Sequence, residues 1–172
     1  MKDDFVKPIV VLTLICLLVA GALAVTNAAT EPVIKAAAAE RADQARREAI
    51  PGASGFTEVS TEGLPDTVRE VYASDNGVGY VFTVVVKGYG GDITVICSID
   101  NDGKIMSTAV LPPHSETSGI GTRIEEPQFT DTFIGAGPGL EGVSAVTGAT
   151  ISTTAYIQAI KDAFAAYELI KG

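Results

Sequence analysis

From Pro8 to Thr30 the chain carries no charged residue, and from Ile9 to Val25 it is apolar apart from Thr13. A helix needs roughly 20 apolar residues to cross the hydrocarbon of a bilayer, so this run is long enough to span. No second run of that length follows. The run therefore divides the chain. Residues 1–30 are expected to be a cytoplasmic tip and transmembrane anchor, 31–51 a helical stalk, and 52–172 one α+β domain. A cleaved secretory signal is the competing reading: Ala22-Leu23-Ala24 is a small-x-small site, and Lys2 and Lys7 offer a basic leading segment. The retained anchor is better supported, because Asp3 and Asp4 cancel that charge and the apolar run is long for a signal. Ile15 before Cys16 argues against lipidation, where a small residue is expected. Basic residues flank the run on both sides (Lys2 and Lys7; Lys35, Arg41, Arg46 and Arg47), and the latter alternate with acids, so charge alone leaves the side of the domain open.

The formal charge of −9 argues against a nucleic-acid partner, since no basic patch is present to neutralise phosphates. The two cysteines, Cys16 in the apolar run and Cys97 in a strand-like segment, do not suit an internal disulfide. No closely spaced ligand set for zinc or an iron–sulfur cluster occurs, and no metal ligands are assigned. Redox chemistry on this chain would need an organic cofactor.

Glu31 to Ala49 reads as a helix, with Pro32 in its first turn, alanines at 36–39, and Pro51-Gly52 as its stop. Gly52 to Pro65 reads as loop. Strands are expected over Val68–Ser74, Gly79–Lys87, Asp92–Ile99 and Lys104–Leu111. Asp75-Asn76-Gly77 and Asp100-Asn101-Asp102-Gly103 supply hairpin-type turns, and Gly88-Tyr89-Gly90-Gly91 supplies a break. Short helical pieces are expected around Ile120–Glu126 and Gln128–Ile134. Tyr156, Ile160, Phe164, Tyr167 and Ile170 fall near a 3.6-residue period, so Ser152–Lys171 is expected as a helix laid on an antiparallel sheet.

Val146-Thr147-Gly148-Ala149-Thr150-Ile151-Ser152-Thr153 stands where extended chain becomes this last helix. Small residues at 148 and 149 admit a bulky group close to the backbone, and a helix N-terminus favours a phosphate. The plainer reading is that Thr150 or Ser152 is simply the N-cap.

The string Thr147-Gly148-Ala149-Thr150 resembles the S/T-G-A-T flavinylation motif of the FMN-binding domain family. His114-Ser115-Glu116-Thr117-Ser118-Gly119-Ile120-Gly121, followed by Ile124-Glu125-Glu126-Pro127 and Phe129, resembles that family's E-T-P-G-L-G segment and the stretch after it. With one anchor and a stalk ahead of both motifs, the whole layout is similar to the G subunit of Rnf-type ferredoxin:NAD oxidoreductases. It is also similar to the C subunit of sodium-pumping NADH:quinone reductases, whose longer insertions this compact chain lacks. Two departures stand out: Ser118 replaces a proline, and Ser144 stands where an aspartate is usual.

The resemblance implies FMN held by a phosphoester to Thr150, placed there by a separate flavin transferase. Thr147, Gly148, Ala149 and Thr153 would surround the phosphate. Glu116, Thr117, Gly119, Ile120 and Gly121 would lie by the isoalloxazine, with Ile120 as its apolar contact. It further implies a single-pass protein in the cell membrane with its flavin domain outside the cytoplasm. The partners would be the other membrane and redox subunits of an electron-transferring, Na+- or H+-translocating complex, and the lipid bilayer. No catalytic residue of its own is expected. A free-standing surface flavoprotein, and a tethered domain whose TGAT is only a cap, are the readings from other classes. His114 reads as a loop residue, Glu125 and Glu126 as solvated charges, Tyr156 and Tyr167 as core, and Cys97 as a buried strand residue.

Overall fold

The structure is a computed structural model that describes residues 2–172, with side-chain surroundings from residue 6 onward. The side chains of Lys2, Asp3 and Asp4, on which the anchor-versus-signal argument draws, lie outside what is described. Two compact units are present, residues 1–40 and 41–172. The first is helix α1, which runs from Lys2 to Ala49 and so extends into the second unit. Pro32 lies inside this helix and does not open a second one. Among the described residues α1 is the one helix long and apolar enough to cross a membrane. Ile9, Leu12, Leu17, Leu18 and Leu23 are all exposed, as lipid-facing side chains would be.

In the second unit five strands form an antiparallel meander in chain order: β1 Phe56–Val59, β2 Val68–Ser74, β3 Gly79–Lys87, β4 Asp92–Asp100 and β5 Ile105–Leu111. Four stand where the alternation and turn residues put them. β1 was not expected; it pairs Phe56 with Ser74 and Val59 with Val71 at the sheet edge, inside a segment whose Gly, Ser, Thr and Pro content reads as loop. Nine register pairs from Gly79↔Asp100 to Lys87↔Asp92 make β3–β4 the longest hairpin.

Alternation divides the strands between two faces. Phe82, Val84, Val86, Ile93, Val95 and Cys97 point to one face, which the last helix, α3 (Thr150–Lys171), covers with Tyr156, Ile160, Ala163, Phe164 and Tyr167. Val81 and Ile96 point to the other face, where Ala49 and Ile50, at the end of α1, lie against them. Ser98 Oγ donates to the Ala49 carbonyl at 2.9 Å, tying that helix end to β4. The domain is thus α+β, with helix on both sides of its sheet.

Between β5 and α3 the chain makes a 3₁₀ turn at Gly121–Glu125, a single turn α2 (Pro127–Thr130) and a second 3₁₀ turn at Asp131–Phe133. Phe129 and Phe133 pack edge-on to each other and against Tyr156, with ring centroids 5.2–5.3 Å apart. This aromatic cluster seats the irregular segment on α3 and so holds the loop before it near the helix start.

Candidate functional site

Helix α3 begins at Thr150, two residues before the expected start. Its N-cap is Ala149, which makes no side-chain capping bond. Neither Thr150 nor Ser152 caps the helix. Thr153 Oγ1 donates back to the carbonyls of Ala149 (2.9 Å) and Thr150 (3.2 Å), and Ser152 Oγ donates to Glu116 Oε2. The backbone N–H groups of Thr150, Ile151 and Ser152 make no hydrogen bond among the described residues, nor does the Thr150 hydroxyl, whose residue is exposed. A helix start with three free donors and no side-chain cap suits an anion.

Gly148 has φ +88°, a left-handed conformation that L side chains rarely adopt, and a Cβ built there would meet no atom within 4 Å. The glycine is needed for the backbone turn into the helix, and the space beside it stays open.

That space is a cleft of about 470 Å³ lined by Tyr89, Thr117, Ile120, Gly121 and residues 148–152. Its volume is within the few-hundred-Å³ range of small-molecule sites. One wall is the start of α3, the other the loop between β5 and the 3₁₀ turn, so two motifs about thirty residues apart in sequence face each other. Tyr89, Ile120 and Ile151 stand exposed around it. An apolar rim beside free N–H donors fits a group with an aromatic ring at one end and a phosphate at the other.

Of the expected residues, Gly148, Ala149, Thr150, Thr117, Ile120 and Gly121 line the cleft. Thr147, Gly119, Thr153 and Glu116 do not. Thr147 is exposed beside it, and its carbonyl accepts from Arg123 Nη1 at 3.0 Å. Thr153 is fully buried in the first turn, and Gly119 takes φ +75° at the loop's exposed bend. Glu116 is buried: its Oε1 accepts the Gly90 N–H at 3.0 Å and its Oε2 the Ser152 hydroxyl. Tyr89, Ile151 and Arg123 were not singled out by the sequence. Tyr89 sits in a glycine cluster that signals only a turn, and the Arg123–Thr147 contact depends on folding.

The remaining polar groups have plainer roles. His114 packs in the loop with Nε2 2.5 Å from Glu125 Oε1. Tyr156 OH pairs with Thr108 Oγ1 at 2.7 Å, and burial pushes its phenol well above the usual range. Burial alone pushes the Cys97 thiol up as well, which disfavours a reactive thiolate. No group of three or more His, Cys, Asp or Glu able to hold a metal occurs among the described residues.

The family model of the FMN-binding domain matches residues 88–165, which include both walls of the cleft. The chain is 32% identical to the G subunit of the ion-translocating oxidoreductase complex of Methanosarcina acetivorans, over 94% of each protein. It is 29% identical to the G subunit of the Na+-translocating ferredoxin:NAD+ oxidoreductase complex of Acetobacterium woodii, over 92% of this chain and 89% of that protein. With the G subunit of the proton-translocating ferredoxin:NAD+ oxidoreductase complex of Clostridium ljungdahlii it shares 25% identity, over 88% and 85%.

Proposed function

Because this chain belongs to the family of G subunits of ion-translocating oxidoreductase complexes, we propose that it carries FMN on Thr150 and relays electrons within a membrane-bound ferredoxin:NAD oxidoreductase coupled to Na+ or H+ movement. The observation that carries the proposal is the Thr150 hydroxyl: exposed, without a hydrogen-bond partner among the described residues, and on the lining of a cleft of about 470 Å³. FMN, when bound, supplies the redox chemistry that the side chains lack; the protein supplies position and electrostatics.

The free N–H groups of residues 150–152 hold the phosphate, with Thr147, Gly148, Ala149 and Thr153 shaping the turn that presents them. Thr117 and Gly121 would lie at the ring's polar edge and Ile120 at its apolar face; Gly119 sets the bend of that loop, and Glu116 lies beneath it. The bond is a phosphoester. A flavin transferase directs the Thr150 oxygen onto the flavin phosphorus of a flavin dinucleotide; the pyrophosphate bond breaks, a nucleoside monophosphate leaves, and the hydroxyl proton passes to solvent. An activated donor is needed because FMN alone could be joined only by losing water.

Residues 1–30 anchor the chain in the bilayer, residues 31–51 form a stalk, and the flavin domain faces away from the cytoplasm. There a reversible site would empty into dilute surroundings, whereas a tether keeps the cofactor at a permanent intramolecular concentration. The other subunits of the complex are its redox partners.

Denaturing-gel fluorescence of the full chain made with a transferase tests this. Wild type is expected to fluoresce, Thr150→Ala to be dark and Thr150→Ser to retain signal. Dark wild type, or bright Thr150→Ala, contradicts the proposal.

A further inference from the structure

Glu116 and Arg46 are the two charged residues buried in the described structure, and Glu116 is only 9% exposed. Its carboxyl joins three segments. Oε1 accepts from Gly90 N–H in the β3–β4 turn, at 3.0 Å, and Oε2 accepts from Ser152 Oγ in the first turn of α3. Glu116 itself belongs to the loop that forms the facing wall of the cleft. Backbone presses on it from two sides: a Cβ at Gly88 would overlap Oε1, and one at Gly121 would overlap Oε2. A Cβ at Gly90 would run into the Ser115 carbonyl. Glycines at 88, 90 and 121 thus let the carboxyl sit under the cleft and let the loop lie against the hairpin.

Ser152 stands two residues after Thr150 in the same helical turn. Whatever fixes Ser152 fixes the direction in which the Thr150 hydroxyl is presented, and fixes the loop wall opposite it. We infer that Glu116 is a positioning residue for flavin attachment, acting through Ser152 and Gly90 without touching the flavin; this rests on the reading of Thr150 given above. Its requirement is for two correctly placed hydrogen bonds. Glutamine can supply both: its carbonyl oxygen accepts from Gly90 N–H, and its amide donates to the Ser152 oxygen. Alanine supplies neither, and leaves an N–H and an O–H unpaired under the cleft.

Two measurements on the full-length chain test the inference. The first is the initial rate of FMN incorporation during co-expression with a transferase, read by denaturing-gel fluorescence against total protein. Glu116→Ala is expected to slow incorporation about 10-fold, part of the roughly 100-fold that a full ångström of misplacement can cost, and Ser152→Ala, which loses one of the two bonds, about 3-fold. Glu116→Gln is expected to recover most of the rate. The double Glu116→Ala/Ser152→Ala variant is expected to be no slower than Glu116→Ala, because the one bond that Ser152→Ala removes is already lost in Glu116→Ala.

The second measurement is amide hydrogen exchange at Gly90 and Thr153 in a Thr150→Ala background, where no flavin can attach. Exchange at both amides is expected to quicken with Glu116→Ala and to stay slow with Glu116→Gln. Wild-type incorporation by Glu116→Ala, glutamine as slow as alanine, multiplicative effects in the double variant, or unchanged exchange would each overturn the inference. Unmodified wild type would sink the attachment reading and the positioning role with it. Loaded wild type alongside fully loaded Glu116→Ala would sink the positioning role alone.

Discussion

Thr83 has its hydroxyl buried in β3 with no hydrogen-bond partner among the described residues. A buried, unpaired hydroxyl is destabilising relative to an apolar group of the same shape. Thr83→Val is therefore expected to stabilise the domain by about 1 kcal/mol in chemical denaturation; a loss of stability would reveal a partner for this hydroxyl. The site residues differ in how far they could be read from sequence. Thr147-Gly148-Ala149-Thr150 is legible through its resemblance to a family motif, whereas the local reading pointed to a plain helix cap; the left-handed turn at Gly148, φ +88°, was not foreseen. The pairing of Ser152 with Glu116, 36 residues away, is not legible, since no local pattern encodes which buried carboxyl a hydroxyl will meet. Tyr89 was hidden for a related reason: its glycine neighbours announce a turn, and only the folded sheet brings that turn to the cleft.

At the scale of elements, the longer strands and α3 were legible from alternation and helical period. β1 was not, because its four residues lie among turn formers and its outer positions are only half-buried. The start of α3 was misplaced because capping preference favours a hydroxyl, whereas Ala149 occupies the cap and the hydroxyls serve elsewhere. The end of α1 is held by Arg46, which pairs with Glu70 at 2.9 Å, bonds Asp43, and lies 4.2 Å from the Tyr72 ring centroid. Both acids are partly exposed, so the pairing is weaker than a fully buried one. Arg46→Ala is expected to cost about 1–3 kcal/mol of domain stability, through lost packing as well as charge, with Arg46→Lys recovering part; urea unfolding reads both.

Asp75, in the β2–β3 turn, accepts from Ser54 Oγ at 2.6 Å and from Ser54 N–H at 3.1 Å. The Ser54 side-chain hydrogen bond first, and backbone hydrogen bonds with it, hold the carboxyl below its ordinary value of 3.8. The folded state thus prefers the carboxylate. Its contribution is fully present above that ordinary value and fades as pH falls through the lower folded value. Thermal melts of Asp75→Asn across the acid range are expected to fall less steeply below about pH 4 than those of wild type; parallel profiles would contradict this assignment.

For the whole molecule, the uncharged run of residues 8–30 was the most legible feature, since length and apolarity alone qualify a helix to cross a bilayer. The full chain is expected to stay with the membrane through alkaline carbonate washing and to leave it only in detergent. External protease should cut the flavin domain in spheroplasts and leave the amino-terminal tip intact; a protected domain would reverse the proposed side. The side was not legible because basic residues flank the run at both ends.

The most direct test is peptide mass spectrometry on protein taken from its own membrane. Trypsin should release residues 124–161 as one peptide, because no lysine or arginine lies between Arg123 and Lys161. That peptide is expected to be heavier by one FMN less one water, with fragmentation placing the addition on Thr150. A bare peptide, or an addition on Thr147, Ser152, Thr153 or Thr154, would contradict the account.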